Sequence, residues 1–128
     1  MNFPKHLMYS KTHEWVEKIN ETTARVGLTE FAQDELGDLV FVNLPAVGDA
    51  VTEGHSFGDV ESVKAVSDIF SPVTGKVAAV NEDLLDAPQK INEDPYSAWM
   101  VEIKDITVFG ELLDDICYAA YCEAAQDA

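Results

Sequence analysis

The chain is poor in positive charge and in cysteine, and it contains no long apolar run. Eight Lys and Arg stand against 24 Asp and Glu among 128 residues, a formal charge of −16. That balance argues against nucleic acid and anionic membrane surfaces as partners, because phosphate contacts need clustered basic side chains. It suits docking on basic protein surfaces, and it equally serves solubility, two uses that composition does not separate. No stretch approaches the length and apolarity of a membrane span, and Met1 to His6 has no signal-peptide core. The expected setting is a soluble compartment: bacterial cytoplasm, or the mitochondrial matrix if a transit peptide has been removed. The only cysteines, Cys117 and Cys122, lie five residues apart. On one helix that spacing sets their Cα atoms about 8 Å apart, beyond disulfide reach, so both are expected as thiols. They lack the CxxC pattern, and His6, His13 and His55 are scattered, which leaves a zinc site or redox pair without support.

A second shortage is local. From Val26 to Val63 there is no Lys or Arg, while Glu30, Asp34, Glu35, Asp38, Asp49, Glu53, Asp59 and Glu61 are all acidic. Lys64 then follows as one amine in an acidic field. The flanking segments, Ser56 to Val60 and Ala65 to Phe70, read as strands, so a hairpin should carry Lys64 at an exposed tip. Taken alone, that describes a solvated turn lysine on an edge hairpin.

What is present elsewhere is a succession of short β segments. Trp15 to Ile19 and Thr23 to Leu28 flank the polar turn Asn20-Glu21-Thr22 as a hairpin would. Thr29 is placed to cap a short helix from Glu30 to Leu36, and Gly37 to stop it. Asp38 to Leu44 reads as a buried strand, since Leu39, Val40, Phe41, Val42 and Leu44 leave little that is polar. A tight loop with a small strand is expected over 47–54, a turn at Pro72 to Gly75, a strand from Lys76 to Val80, and a helical turn within 81–86. A further strand covers Trp99 to Ile103. Leu112, Leu113, Ile116, Cys117, Ala120 and Ala124 recur at helical spacing, which predicts an amphipathic C-terminal helix over about 111–125. Trp15, Tyr96 and Trp99 are expected in the core, while Tyr118 and Tyr121 suit either core or partner contacts. The length is that of one domain, and many short strands with two helical segments give a mainly β sandwich or flattened barrel.

The wording around the tip carries more. Glu61-Ser62-Val63-Lys64-Ala65, Ser67-Asp68 and Ser71-Pro72-Val73-Thr74-Gly75 together resemble the lipoyl-attachment segment of the glycine cleavage H-protein family. The resemblance extends in order through His13-Glu14-Trp15, Val26-Gly27-Leu28-Thr29-Glu30, Leu36-Gly37-Asp38, Val40-Phe41-Val42, Leu44-Pro45, Val47-Gly48 and Asn92-Glu93-Asp94-Pro95-Tyr96. One departure is the short Ser97-Ala98 link between Tyr96 and Trp99, where the family usually carries a longer stretch with Gly.

The resemblance implies a barrel-sandwich hybrid fold in one lipoyl-carrier domain, 1–128, with the lysine hairpin at 60–70. It implies lipoic acid amide-linked to Lys64 and a carrier rather than an enzyme. Such a carrier takes the aminomethyl group of glycine from a PLP-dependent glycine decarboxylase to a tetrahydrofolate-dependent aminomethyltransferase. Dihydrolipoamide dehydrogenase then reoxidises it, and a lipoyl ligase or transferase loads it. A monomer is expected. Glu14 and Asp68, with Thr12 beside them, are the candidate contacts of the loaded arm, although both carboxylates also fit as ordinary solvated strand ends. Glu61 is the candidate for recognition by ligase and partners.

Three other readings of Lys64 differ in the chemistry they require. Biotin carriage is disfavoured because Val63 and Ala65, not Met, flank the lysine. A Schiff-base lysine needs desolvation or a neighbouring cation to lower its pKa, whereas Glu61 and Asp68 are acidic. An H-like protein that donates lipoyl groups to other acceptors fits the same residues as the glycine carrier.

Overall fold

A computed structural model describes residues 1–127. In chain order the elements are β1 (Met8–Tyr9), β2 (Glu14–Asn20), β3 (Thr23–Leu28), α1 (Glu30–Leu36), β4 (Leu39–Asn43), β5 (Ala50–Val51), β6 (Ser56–Ser62), β7 (Val66–Phe70), β8 (Val73–Val80), α2 (Asp83–Asp86), α3 (Lys90–Glu93), β9 (Val101–Phe109) and α4 (Asp115–Asp127). The strands make two antiparallel sheets, one of six strands in the order β1-β2-β3-β9-β8-β5 and one of three in the order β4-β6-β7. The expected mainly β architecture, a sandwich of short strands with a C-terminal helix, is what forms; neither sheet closes on itself as a barrel.

The alternation of the sequence accounts for the larger sheet. Val16, Ala24, Val26, Val73, Val77, Val101 and Ile103 point inward and form one apolar cluster. A second cluster joins the small sheet to the helices through Leu28, Ala32, Leu39, Val42, Val60, Ile69, Leu84, Ile91 and Met100. The third is largely aromatic and holds α4 to the body through Tyr9, Trp15, Phe31, Tyr118 and Cys122. Each inward side chain of this size stabilises the fold by about 1.5 to 3 kcal/mol on leaving water. Trp15 is buried as expected, and its indole N–H donates to the Pro95 carbonyl at 3.0 Å. Tyr96 and Trp99 pack only partly buried against the aromatic cluster.

Several expectations need correction. β4 is not buried on both faces: its register against β6 slips between Leu39 and Phe41, and the bulge turns both Val40 and Phe41 to solvent. Pro72 to Gly75 is not a turn, since β8 already runs from Val73. Gly75 is instead a close-approach residue, where a Cβ would fall 2.6 Å from the Lys104 carbonyl oxygen. β9 begins at Val101 and continues past Ile103 to Phe109, carried through the polar Lys104-Asp105 by pairing with β8. α3 was not foreseen.

The C-terminal helix begins at Asp115 rather than near Glu111, because Leu113 is held in a β-bridge to Tyr9 by reciprocal backbone hydrogen bonds. Asp114 caps it, accepting from the Cys117 N–H at 2.7 Å. Its buried face is Tyr118 and Cys122, while Ile116 and Cys117 are exposed. Both cysteines are free thiols. Among the described residues no helix is long and apolar enough to cross a membrane.

Candidate functional site

The hairpin tip is built by Ser62. Its backbone N–H donates to the Ala65 carbonyl at 2.8 Å. Its hydroxyl oxygen accepts from the N–H groups of Lys64 at 3.2 Å and Ala65 at 3.0 Å. One short side chain thus closes a turn that holds Lys64 exposed. The tip is tied back to the body where the Val63 N–H donates to the Asp38 carbonyl at 3.1 Å.

Asp38 is itself fixed from a distant segment. Asn92 donates through Nδ2 to the Gly37 carbonyl at 2.9 Å and to Gln33 Oε1 at 3.1 Å, and its Oδ1 accepts from the Leu39 N–H at 2.9 Å. Asn92 therefore clamps the end of α1 to the start of β4, directly beneath the lysine. Gly37 has φ +81°, a backbone state that L side chains resist, and a methyl there would lie 3.2 Å from Lys64 Cε. The missing side chain leaves the track along which the Lys64 stem lies.

The helix that ends at this glycine also lines a cleft. A cavity of about 550 Å³ is lined by Thr12, His13, Glu14, Leu28, Phe31, Ala32, Glu35, Leu36, Val60, Ser67, Asp68 and Ala125. Gly37 directly follows Leu36 of its lip. Thr12 and Glu14 thus come to one place with Asp68, which lies more than fifty residues further along the sequence. Glu61 does not join them; it is exposed on β6, opposite Phe41 of β4 and Val66 of β7.

Glu14 is not a solvated strand-end carboxylate. It is 1 % exposed, with Oε1 accepting from the hydroxyls of Ser10 at 2.7 Å and Thr12 at 2.5 Å. Its Oε2 faces the free edge of β7, with the Phe70 N–H at 3.4 Å. Burial pushes its pKa up from 4.5 to about 7, against the opposing pull of the Thr12, Ser10 and Phe70 hydrogen bonds. Asp68 is exposed at the rim. The cleft therefore has a deep carboxyl near its titration point, exposed carboxylates of Asp68 and Glu35 on its lining, and walls that are half polar and half apolar, with Leu28, Phe31, Ala32, Leu36 and Val60 as the apolar part.

His13 closes the floor. It takes φ +76°, packs on Phe31 with ring centroids 4.6 Å apart, and shares a hydrogen bond of 2.7 Å between Nδ1 and the Tyr118 hydroxyl. The same hydroxyl lies 2.8 Å from Thr29 Oγ1, and Thr29 caps α1 as expected, accepting from the Ala32 N–H at 3.2 Å. Burial lowers the His13 pKa. Tyr118 thus locks α4, α1 and the cleft strand together, which answers the choice left open for it: it is core. Sequence reasoning missed Ser10, Gly37, Asn92 and Tyr118 as parts of the site. The only sequence signals were that Gly37 and Asn92 lay within stretches of family likeness.

A rigid body of two antiparallel sheets that presents one lysine at a hairpin tip beside a cleft defines a lipoyl-domain-like carrier fold. The comparisons agree. Residues 7–124 match the family model described as glycine cleavage H-protein. The glycine cleavage system H protein of Lachnoclostridium phytofermentans is 60% identical over 113 residues, spanning 88% of this chain and 89% of that protein. The probable glycine cleavage system H protein of Pyrococcus furiosus is 51% identical over 118 residues, covering 90% and 88%. The crystal structure of a glycine cleavage system H protein from Mycobacterium marinum superposes with a TM-score of 0.86 at 42% identity, over 92% of this chain and 97% of that one. The chain belongs to the glycine cleavage H-protein family and is a component of the glycine cleavage system. Members of that family are carriers rather than catalysts, and they carry lipoate.

Proposed function

We propose that the chain is one lipoyl-carrier domain in which Lys64 bears lipoic acid in amide linkage. The observation that carries this reading is the exposed Lys64 at a hydrogen-bonded tip, its stem lying over Gly37, next in the chain to Leu36 of a cleft that ends on a buried carboxyl. The residues present fit the group: about 550 Å³ is within the usual range for a small-molecule site, and Leu28, Phe31, Ala32, Leu36 and Val60 suit a hydrocarbon chain. When bound, the lipoyl group supplies a dithiolane that accepts the aminomethyl unit of glycine from the decarboxylase, yields it to the aminomethyltransferase, and is reoxidised by dihydrolipoamide dehydrogenase.

This chain's own residues position and protect. The Ser62 turn and the Asn92 clamp hold Lys64 outward for those partners and for the lipoyl ligase or transferase. Glu14 and Asp68 accept hydrogen bonds from a cationic amine brought into the cleft, and Thr12 completes the polar end. One such charge-assisted bond contributes about 1.5 to 3 kcal/mol, which favours the closed position roughly tenfold to a hundredfold. The apolar side chains of Leu28, Phe31, Ala32, Leu36 and Val60 shield the cargo from water, which would otherwise release ammonia and formaldehyde from it. The test is intact-mass measurement with peptide mapping after incubation with lipoyl ligase, lipoate and ATP, followed by glycine-dependent CO₂ exchange with the decarboxylase. A lipoyl increment on the Lys64 peptide together with exchange is expected; no increment on that peptide refutes the assignment.

A further inference from the structure

The outer face of the β4-β6-β7 sheet has a composition that the cleft does not explain. The β4 bulge turns Val40 and Phe41 outward, 54% and 52% exposed. Phe41 stands opposite Glu61, and Glu61 opposite Val66, so these three form one row on one face. Val66 is 68% exposed, and Val63, beside the lysine in the turn, is 70% exposed. The next row is polar and acidic: Asn43, Asp59 and Asp68.

Single exposed apolar residues are ordinary, but four on the lysine hairpin and the strand paired with it, each more than half exposed, make a grouped apolar surface of the kind that marks a contact site on a monomer. Outward apolar residues on an edge strand also invite aggregation, and edge strands are normally blunted with charge. Here the charge sits within and beside the patch, as Glu61, Asp59 and Asp68. The surface is therefore an apolar centre with a negative surround, complementary to an apolar socket with a basic rim.

We propose that Val40, Phe41, Val63 and Val66, with Glu61 among them, are the docking surface for the enzyme that acylates Lys64, which receives them in an apolar socket rimmed by Lys and Arg. The inference rests on the carrier reading and goes beyond it by naming the contact surface. Reach decides which partner. Amide formation joins Lys64 Nζ to the acyl carbon of an activated lipoyl donor; the bond from that carbon to its leaving group breaks, and a proton leaves Nζ. An enzyme working at Nζ has to enclose the tip and so covers the side chains within a few ångströms of it. Partners that work at the far end of a long arm have no chemical need to enclose Nζ. Val63 and Val66, one and two positions from the lysine, are the side chains such an enclosure meets first.

The test uses the full chain carrying Phe41→Ser and Val66→Ser together. Both side chains are more than half exposed, so the melting temperature should stay near that of the wild type. Ile19→Ser, which removes a 50% exposed apolar group on the β2-β3 hairpin, is the control. With purified lipoyl ligase, ATP and lipoate, and the rate read by intact mass, kcat/KM should fall at least tenfold for the double variant, chiefly through KM, and not for the control. Glu61→Gln should flatten the dependence of that rate on salt. Double-variant lipoylation at the wild-type rate overturns the docking proposal and leaves the carrier reading standing. Failure of the wild-type Lys64 to acquire the group overturns the carrier reading itself. The double variant, loaded by prolonged incubation, then separates the partners: wild-type CO₂ exchange supports assignment of the face to the acylating enzyme, and exchange lost along with lipoylation overturns it.

Discussion

Glu14→Gln should flatten the pH dependence of folding stability. In the unfolded chain the Glu14 carboxyl titrates near its ordinary value of 4.5, whereas burial moves it to about 7 in the folded protein. Between those values the folded state holds a proton that the unfolded state has released, so stability falls as pH rises. The favourable contribution is complete below about pH 4.5, declines through the folded pKa near 7, and is gone by about pH 8. At about 1.4 kcal/mol per tenfold, the gap from 4.5 to about 7 corresponds to about 3 kcal/mol. For a chain of this size that is a change in melting temperature of roughly 10 °C. The amide keeps the shape and hydrogen-bonding capacity of the protonated carboxyl: it can present its oxygen to the Phe70 N–H and its NH₂ to the hydroxyls of Ser10 and Thr12. Urea melts of wild type and variant from pH 4.5 to 8.5 measure the difference. Repulsion among the other carboxylates of this acidic chain lowers stability with pH in both proteins and cancels in the comparison. The variant should therefore gain on the wild type by about 3 kcal/mol across that interval. Stability curves that stay parallel over the whole range would show that the buried carboxyl does not titrate as described and refute the reasoning.

Lys64→Arg should fold within about 0.5 kcal/mol of the wild type, because the side chain is exposed, yet take up no lipoyl group, since a guanidinium cannot form the amide; a melt and intact mass check both. Glu14→Gln and Asp68→Asn should load normally but release ammonia faster than wild type from the aminomethyl-loaded carrier without the transferase; equal rates would remove both carboxylates from any part in holding the arm. Tyr118→Phe should cost about 1 to 3 kcal/mol, because it leaves His13 Nδ1 and Thr29 Oγ1 without their shared partner. Hydrogen exchange should then rise at the α1 amides and in α4 together, and a rise confined to α4 would show that the hydroxyl does not couple the two helices.

What the chain settles by itself is local. Alternating apolar residues dictated β2 and β3, Thr29 and Gly37 bounded α1, and the hairpin around Lys64 followed from two strand-like runs on either side of a short tip. In each case the determining interaction lies within a few residues: a cap, a turn or a period of two. The tertiary structure decided everything that depends on which surfaces meet. Val40 and Phe41 read as core by composition and face solvent because a bulge against β6 turns them out. Ile116 read as the buried face of the last helix, but Tyr118 and Cys122 hold that place, because the aromatic cluster of Tyr9 and Phe31 offers them a partner. Glu14 shows the limit most sharply. Its position in the sequence is that of a polar residue at a strand start, and only the closure of β7 and α1 over it removes water, leaving three hydrogen-bond donors to stabilise its charge and so a carboxyl poised near neutrality. Desolvation is a property of what surrounds a group in space, and no residue type or spacing along the chain carries it.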